Sequence, residues 1–144
     1  MNDKRPAIDL RTGCDCGAVT LTATGQVISM FQCACVNCQR VTGTGHSSVF
    51  LFPESGLAVT GAVKTFSRPA DSGANFTRHF CPACGTTLYG ESSRAPGLCI
   101  LPAGLFAGQN EWFVPGQLIF ARSHQGWDEI ADSIPWHESY RPTG

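Results

Sequence analysis

Apolar and polar positions alternate along much of the chain with the period of a β-strand. Val19, Leu21 and Ala23 alternate with Thr20, Thr22 and Thr24. A period of two among β-branched residues predicts a half-buried strand. SSVFLFP (47–53) predicts a second, more buried strand, and GLAVTGAVKTF (56–66) two short strands around Gly61. In GANFTRHF (73–80), Phe76, Arg78 and Phe80 face one way and Asn75, Thr77 and His79 the other. LCILPAG (98–104) and GQLIFAR (116–122) complete the set, while the polar residues 1–11 predict a frayed or edge-like start.

No window of about 12 or more residues carries a helical stripe. Short helical turns are expected only after Cys35 and near Trp127–Ile130. Sixteen glycines and nine prolines punctuate the runs, which predicts a mainly β fold of several short antiparallel sheets in one domain over residues 1–144. Trp112, Phe113, Trp127 and Trp136 are expected to close the core or an interface.

Composition narrows the function. Charged residues make up 15% of the chain, the net charge is −1 and no basic run occurs. The electrostatic footprint of a nucleic-acid binder is therefore missing. No apolar run approaches the roughly 20 residues of a membrane helix. No apolar stretch follows the early charges of MNDKRPAIDL, as a signal peptide would need. A soluble cytoplasmic protein is expected, with neither nucleic acid nor membrane as partner. Its low charge and its aromatics admit a homodimer.

In a reducing compartment, eight cysteines in 144 residues read as metal ligands or reactive thiols before disulfides. GCDCG holds Cys14 and Cys16, and FCPACG holds Cys81 and Cys84, each pair followed by glycine. Glycine tolerates the positive φ with which a chain curls two sulfurs onto one ion. Together the halves supply four thiolates, the ligand set of a closed tetrahedral zinc site that stabilises a fold.

FQCACVNCQR adds Cys33, Cys35 and Cys38 in one short loop. Three protein ligands with an open position are the pattern of a reactive zinc. The alternative is a second structural site, closed by Cys99 or a histidine. Cys99 sits in the apolar GLCIL and reads first as a small buried hydrophobe. Three thiolates make zinc a modest Lewis acid, so an added soft thiolate suits it better than water. A small-molecule thiol is the expected partner. Arg40, just after the loop, offers a fork for a carboxylate. His46 offers a proton relay or an orienting hydrogen bond near neutral pH. Arg78, His79, Arg122 and His124 are further cations, read first as solvated surface charge.

GxCxCGAV, then CxCxxCxR, then RHFCPxCGTxLY, with the tail GQLIFARSHQGWDEI, resembles the glutathione-dependent formaldehyde-activating enzyme family, which shares its domain with centromere protein V. The resemblance covers about residues 10–140. It implies a β-tent-like fold with two Zn²⁺ per chain. One would be structural, on Cys14, Cys16, Cys81 and Cys84. The other would be labile or catalytic, on Cys33, Cys35 and Cys38 beside a glutathione site. The implied activity is that of a carbon–sulfur lyase, joining formaldehyde and glutathione as S-hydroxymethylglutathione or cleaving that adduct. Ala34 and Gln39 stand where many relatives carry histidine and arginine. The same residues also suit a non-catalytic carrier of the thiol or its adduct, or a purely structural zinc domain.

Overall fold

The computed structural model describes residues 5–142. In chain order the strands are β1 (Ala7–Gly13), β2 (Thr20–Gln26), β3 (Ser29–Cys33), β4 (Ser47–Pro53) and β5 (Leu57–Thr60). They continue with β6 (Lys64–Pro69), β7 (Asn75–Phe80), β8 (Thr87–Ser92), β9 (Leu98–Pro102) and β10 (Leu118–Ile119). One α-helix, α1 (Val36–Thr42), follows β3. The fold is mainly β, as the alternation predicts.

Strands β1, β2 and β5 form a three-stranded antiparallel sheet in that order. Val19, Leu21 and Ala23 are fully buried, so the period-two reading of this strand holds. The expectation of a frayed start needs correction. β1 is an edge strand, yet its ladder begins at Ala7 and is anchored by the buried Ile8. Residues 1–4 of that expectation lie outside the described residues.

The other seven strands form one sheet in the order β10-β3-β4-β9-β8-β7-β6. β10 pairs parallel to β3, so the sheets are not antiparallel throughout. The connection through residues 103–117 brings the chain back to β3 in the same direction. β10 is also shorter than GQLIFAR predicts. Phe120 adopts a left-handed φ of 58° and turns the chain into a 3-10 turn over Ala121–Ser123. Near Trp127 the chain makes a turn closed by the Asp128 N–H on the Gln125 carbonyl, not a helical one.

The two faces of this sheet differ sharply. Met30, Phe50, Phe52, Cys99, Leu101 and Leu118 share one face by register, and all are buried. All but Leu118 pack with Leu21 and Phe106 in one core, with Phe50 edge-on to Trp112 at 5.1 Å between ring centroids. Each such side chain contributes about 1.5–3 kcal/mol through burial. Phe31, Val49, Leu51 and Ile100 lie on the opposite face and stay half-buried. Trp127 and Trp136 do not close the core; they are 67% and 41% exposed.

The sheet also curls. Arg122, just after β10 at one edge, pairs with Asp71 in the β6–β7 turn at the other edge. The tip of that hairpin therefore swings round toward the β3–α1 loop.

Candidate metal centre and thiol site

Two cysteine groups stand out. Cys14 and Cys16 lie in the β1–β2 turn, Cys81 and Cys84 in the β7–β8 turn. Their four Sγ atoms lie within 4.8 Å of one another. The Cys14–Cys16 and Cys16–Cys81 sulfurs are 3.7 and 3.8 Å apart. A tetrahedron with metal–sulfur bonds of about 2.3 Å has edges of roughly 3.8 Å. The group thus has the spacing of a four-thiolate zinc site.

The local chain explains how the sulfurs converge. The Gly17 N–H donates to the Cys14 carbonyl and the Gly85 N–H to the Cys81 carbonyl, with φ near +80° at both glycines. Backbone N–H groups of Val19 and Ala83 then point at the sulfurs of Cys14 and Cys81, at 3.3 and 3.4 Å. The Thr86 hydroxyl lies 3.2 Å from Cys84 Sγ and accepts from the Asp15 N–H, tying the two turns together. Hydrogen bonding from Thr86, first through its hydroxyl, holds the Cys84 thiol down at about 6.

Cys33, Cys35 and Cys38 form the second group, again with all sulfurs within 4.8 Å. Cys33 ends β3 and is buried; Cys35 caps α1 and Cys38 sits in its first turn. Cys35 Sγ accepts from the Cys38 N–H at 3.2 Å. The three thiols share charge unequally. Hydrogen bonds from Cys33 and then Cys38 hold Cys35 far below the ordinary thiol range, and the same contacts push Cys33 up. A cation placed among them would meet a ready thiolate. Among the described residues, no histidine, carboxylate or further cysteine joins this group. Cys99 is fully buried, donates to the Phe52 carbonyl, and is pushed by burial to about 12. It belongs to the core.

Arg40 lies in the last turn of α1 with an exposed side chain. His46 is held elsewhere. Its Nδ1 faces Asp128 Oδ2 at 2.7 Å, and Gln32 Nε2, 3.3 Å from its Nε2, also donates to Ser48 Oγ. This network selects the tautomer with Nδ1–H toward Asp128. No sequence pattern marks Asp128, although among the described residues it is the buried polar one. Its signal in the sequence is slight: one carboxylate in a polar tail. Gln39 donates to the carbonyls of Ala34 and Ser123 and accepts from Gln125, so it fastens the loop to the tail.

The fold and site thus define a mainly β protein with two thiol-rich groups able to hold metal ions, one with four ligands and one with three. A family model described as glutathione-dependent formaldehyde-activating enzyme matches residues 9–123. The chain belongs to that family. The match stops short of the tail that carries Asp128. A Fusarium vanettenii protein provisionally named for this enzyme is 30% identical over 125 residues, covering 83% of this chain and 66% of that protein. A similarly named Sordaria macrospora protein is 31% identical over 91 residues, covering 59% and 38%. The chain thus matches less than two thirds of the length of these curated relatives. A crystal structure of a Rhodobacter sphaeroides protein shares the fold, with a TM-score of 0.58 at 19% identity over 88% of this chain and 99% of that one.

Proposed function

We propose that the chain holds zinc at both groups and uses the three-cysteine site to take up glutathione or a related small thiol. The observation that carries this is the contrast in ligand number. Four sulfurs close one site, while three, with no fourth protein ligand among the described residues, leave the other open. In this reading Cys14, Cys16, Cys81 and Cys84 serve the structural ion, and Cys33, Cys35 and Cys38 the labile or catalytic one. Zinc bound by three thiolates supplies the modest Lewis acidity that lowers the pKa of an added thiol.

The reaction is addition of that thiol to a small aldehyde such as formaldehyde, or the reverse cleavage of the adduct. It is a carbon–sulfur lyase reaction of the S-hydroxymethylglutathione type, carried out in the cytoplasm. Arg40, exposed in the last turn of α1, is the cation that offers its fork to a ligand carboxylate on entry, before the ligand settles in the site. His46, its ring held by Asp128 and Gln32, is the group proposed to orient the thiol or relay a proton near the loop.

Calorimetric titration of glutathione into zinc-loaded protein, beside Cys35→Ser, tests this reading. Saturable binding that the variant loses is expected, together with adduct formation faster than the spontaneous reaction. Binding without acceleration would leave a carrier of the thiol. No binding by protein holding two zinc ions would remove the thiol from the account.

A further inference from the structure

The register of the curled sheet places two arginines on the face that also carries Cys33. Arg68 lies opposite Phe76, and Arg78 opposite Phe66 and Gly90. Gly90 pairs with Ile100, Ile100 with Leu51, and the same face continues through Val49 and Phe31 to Cys33. Gly90 leaves room for the Phe76 ring, which a Cβ there would meet at 2.5 Å.

Both guanidiniums stack on rings. Arg68 lies 5.0 Å from the Phe76 centroid, and Arg78 lies 5.7 and 5.3 Å from those of Phe66 and Phe80. A stacked guanidinium keeps its edge donors for a carboxylate. The hairpin tip meets the segment after β10 through Asp71 and Arg122, and the next residue, Ser123, accepts at its carbonyl from Gln39, directly after Cys38. Arg68 therefore faces the three-cysteine loop from across the curl. Arg78 is the diagonal neighbour of Arg68, with Cα atoms roughly 7–8 Å apart.

We propose that Arg68 and Arg78 are specificity-determining residues that select thiols bearing two carboxylates, Arg68 holding the nearer and Arg78 the farther one. The half-buried apolar face between them and the loop takes the body of the ligand. This assignment rests on the three-cysteine group accepting a thiol. It adds a charge requirement that ligand number alone does not impose.

The test is calorimetric titration of zinc-loaded full-length protein with three probes: 2-mercaptoethanol, 3-mercaptopropionate and mercaptosuccinate. They carry zero, one and two carboxylates. The wild type is expected to bind more tightly with each carboxylate, by about tenfold per step, the size of one charge-assisted hydrogen bond. Arg68→Gln and Arg78→Gln should each remove about one step while leaving the neutral thiol's affinity and the zinc content unchanged. Arg68→Lys should restore part of its step, which a merely structural role would not do. Equal affinities for the three thiols, or a series that neither glutamine variant flattens, would overturn the arginine assignment and leave the thiol site standing. Failure of the wild type to bind any of the three would overturn both.

Discussion

Thr86 shows how much a cysteine turn able to hold a metal ion depends on residues that offer no sulfur. Its hydroxyl and backbone both serve Cys84, and the hydroxyl also receives the Asp15 N–H from the opposite turn. Hydrogen bonds to a thiolate favour the charged form. Cys84 therefore sits at about 6 against an ordinary 9.0. The sign of the linkage follows. A depressed thiol contributes stability that is full above 9 and is lost as pH falls through about 6. In zinc-free protein, alkylation of Cys84 followed by peptide mass spectrometry should have its midpoint near that lower value. Thr86→Val is expected to move the midpoint upward, toward the ordinary thiol. An unmoved midpoint would assign the depression to the turn backbone and Cys16.

At the scale of elements, the β3–α1–β4 unit depends on a close approach visible only in three dimensions. A Cβ on Gly45 would fall 2.3 Å from the Asp128 carboxylate, so only glycine lets that carboxylate reach His46. Gly45→Ala must push Asp128 away or shift the loop. Overpacking of this kind costs about 1–3 kcal/mol, and the melting temperature should fall accordingly while zinc content stays the same. A melting temperature equal to that of the wild type would mean that the Asp128 segment moves aside freely. The sequence made α1 legible as a short helical turn after Cys35, because Cys35 caps it and Gly43 ends it in a left-handed conformation. It did not reveal the His46–Asp128 pair, since 82 residues separate the partners and no local pattern links them. Strand β3 escaped for a related reason. Its alternation is broken by Gln32, a half-buried amide whose partners His46 and Ser48 come from the neighbouring strand and the residue before it.

For the whole molecule, the cysteines are where sequence and architecture meet. Spacing alone grouped Cys14, Cys16, Cys81 and Cys84, and these sulfurs do converge. Spacing did not disclose that the group joins two sheets, the β1–β2 turn of one to the β7–β8 turn of the other. Nor did it disclose the curl, which depends on long-range pairing between opposite sheet edges. The joining role yields a prediction specific to one group. Cys16 is exposed, so Cys16→Ser removes a ligand without opening the core. Cys38→Ser removes a ligand from a loop that ends and begins on one sheet. Each variant should lose one zinc. Cys16→Ser should cost roughly 3 kcal/mol or more, in the range where loss of a structural metal falls, and Cys38→Ser markedly less. In excess chelator the wild type should drop to the level of Cys16→Ser, because the same link is then missing from both. If chelator lowered the Cys16→Ser protein as far as the wild type, the stabilising ion would have to sit elsewhere. Equal losses from the two variants would instead mean that the three-cysteine loop is as structural as the four-cysteine staple.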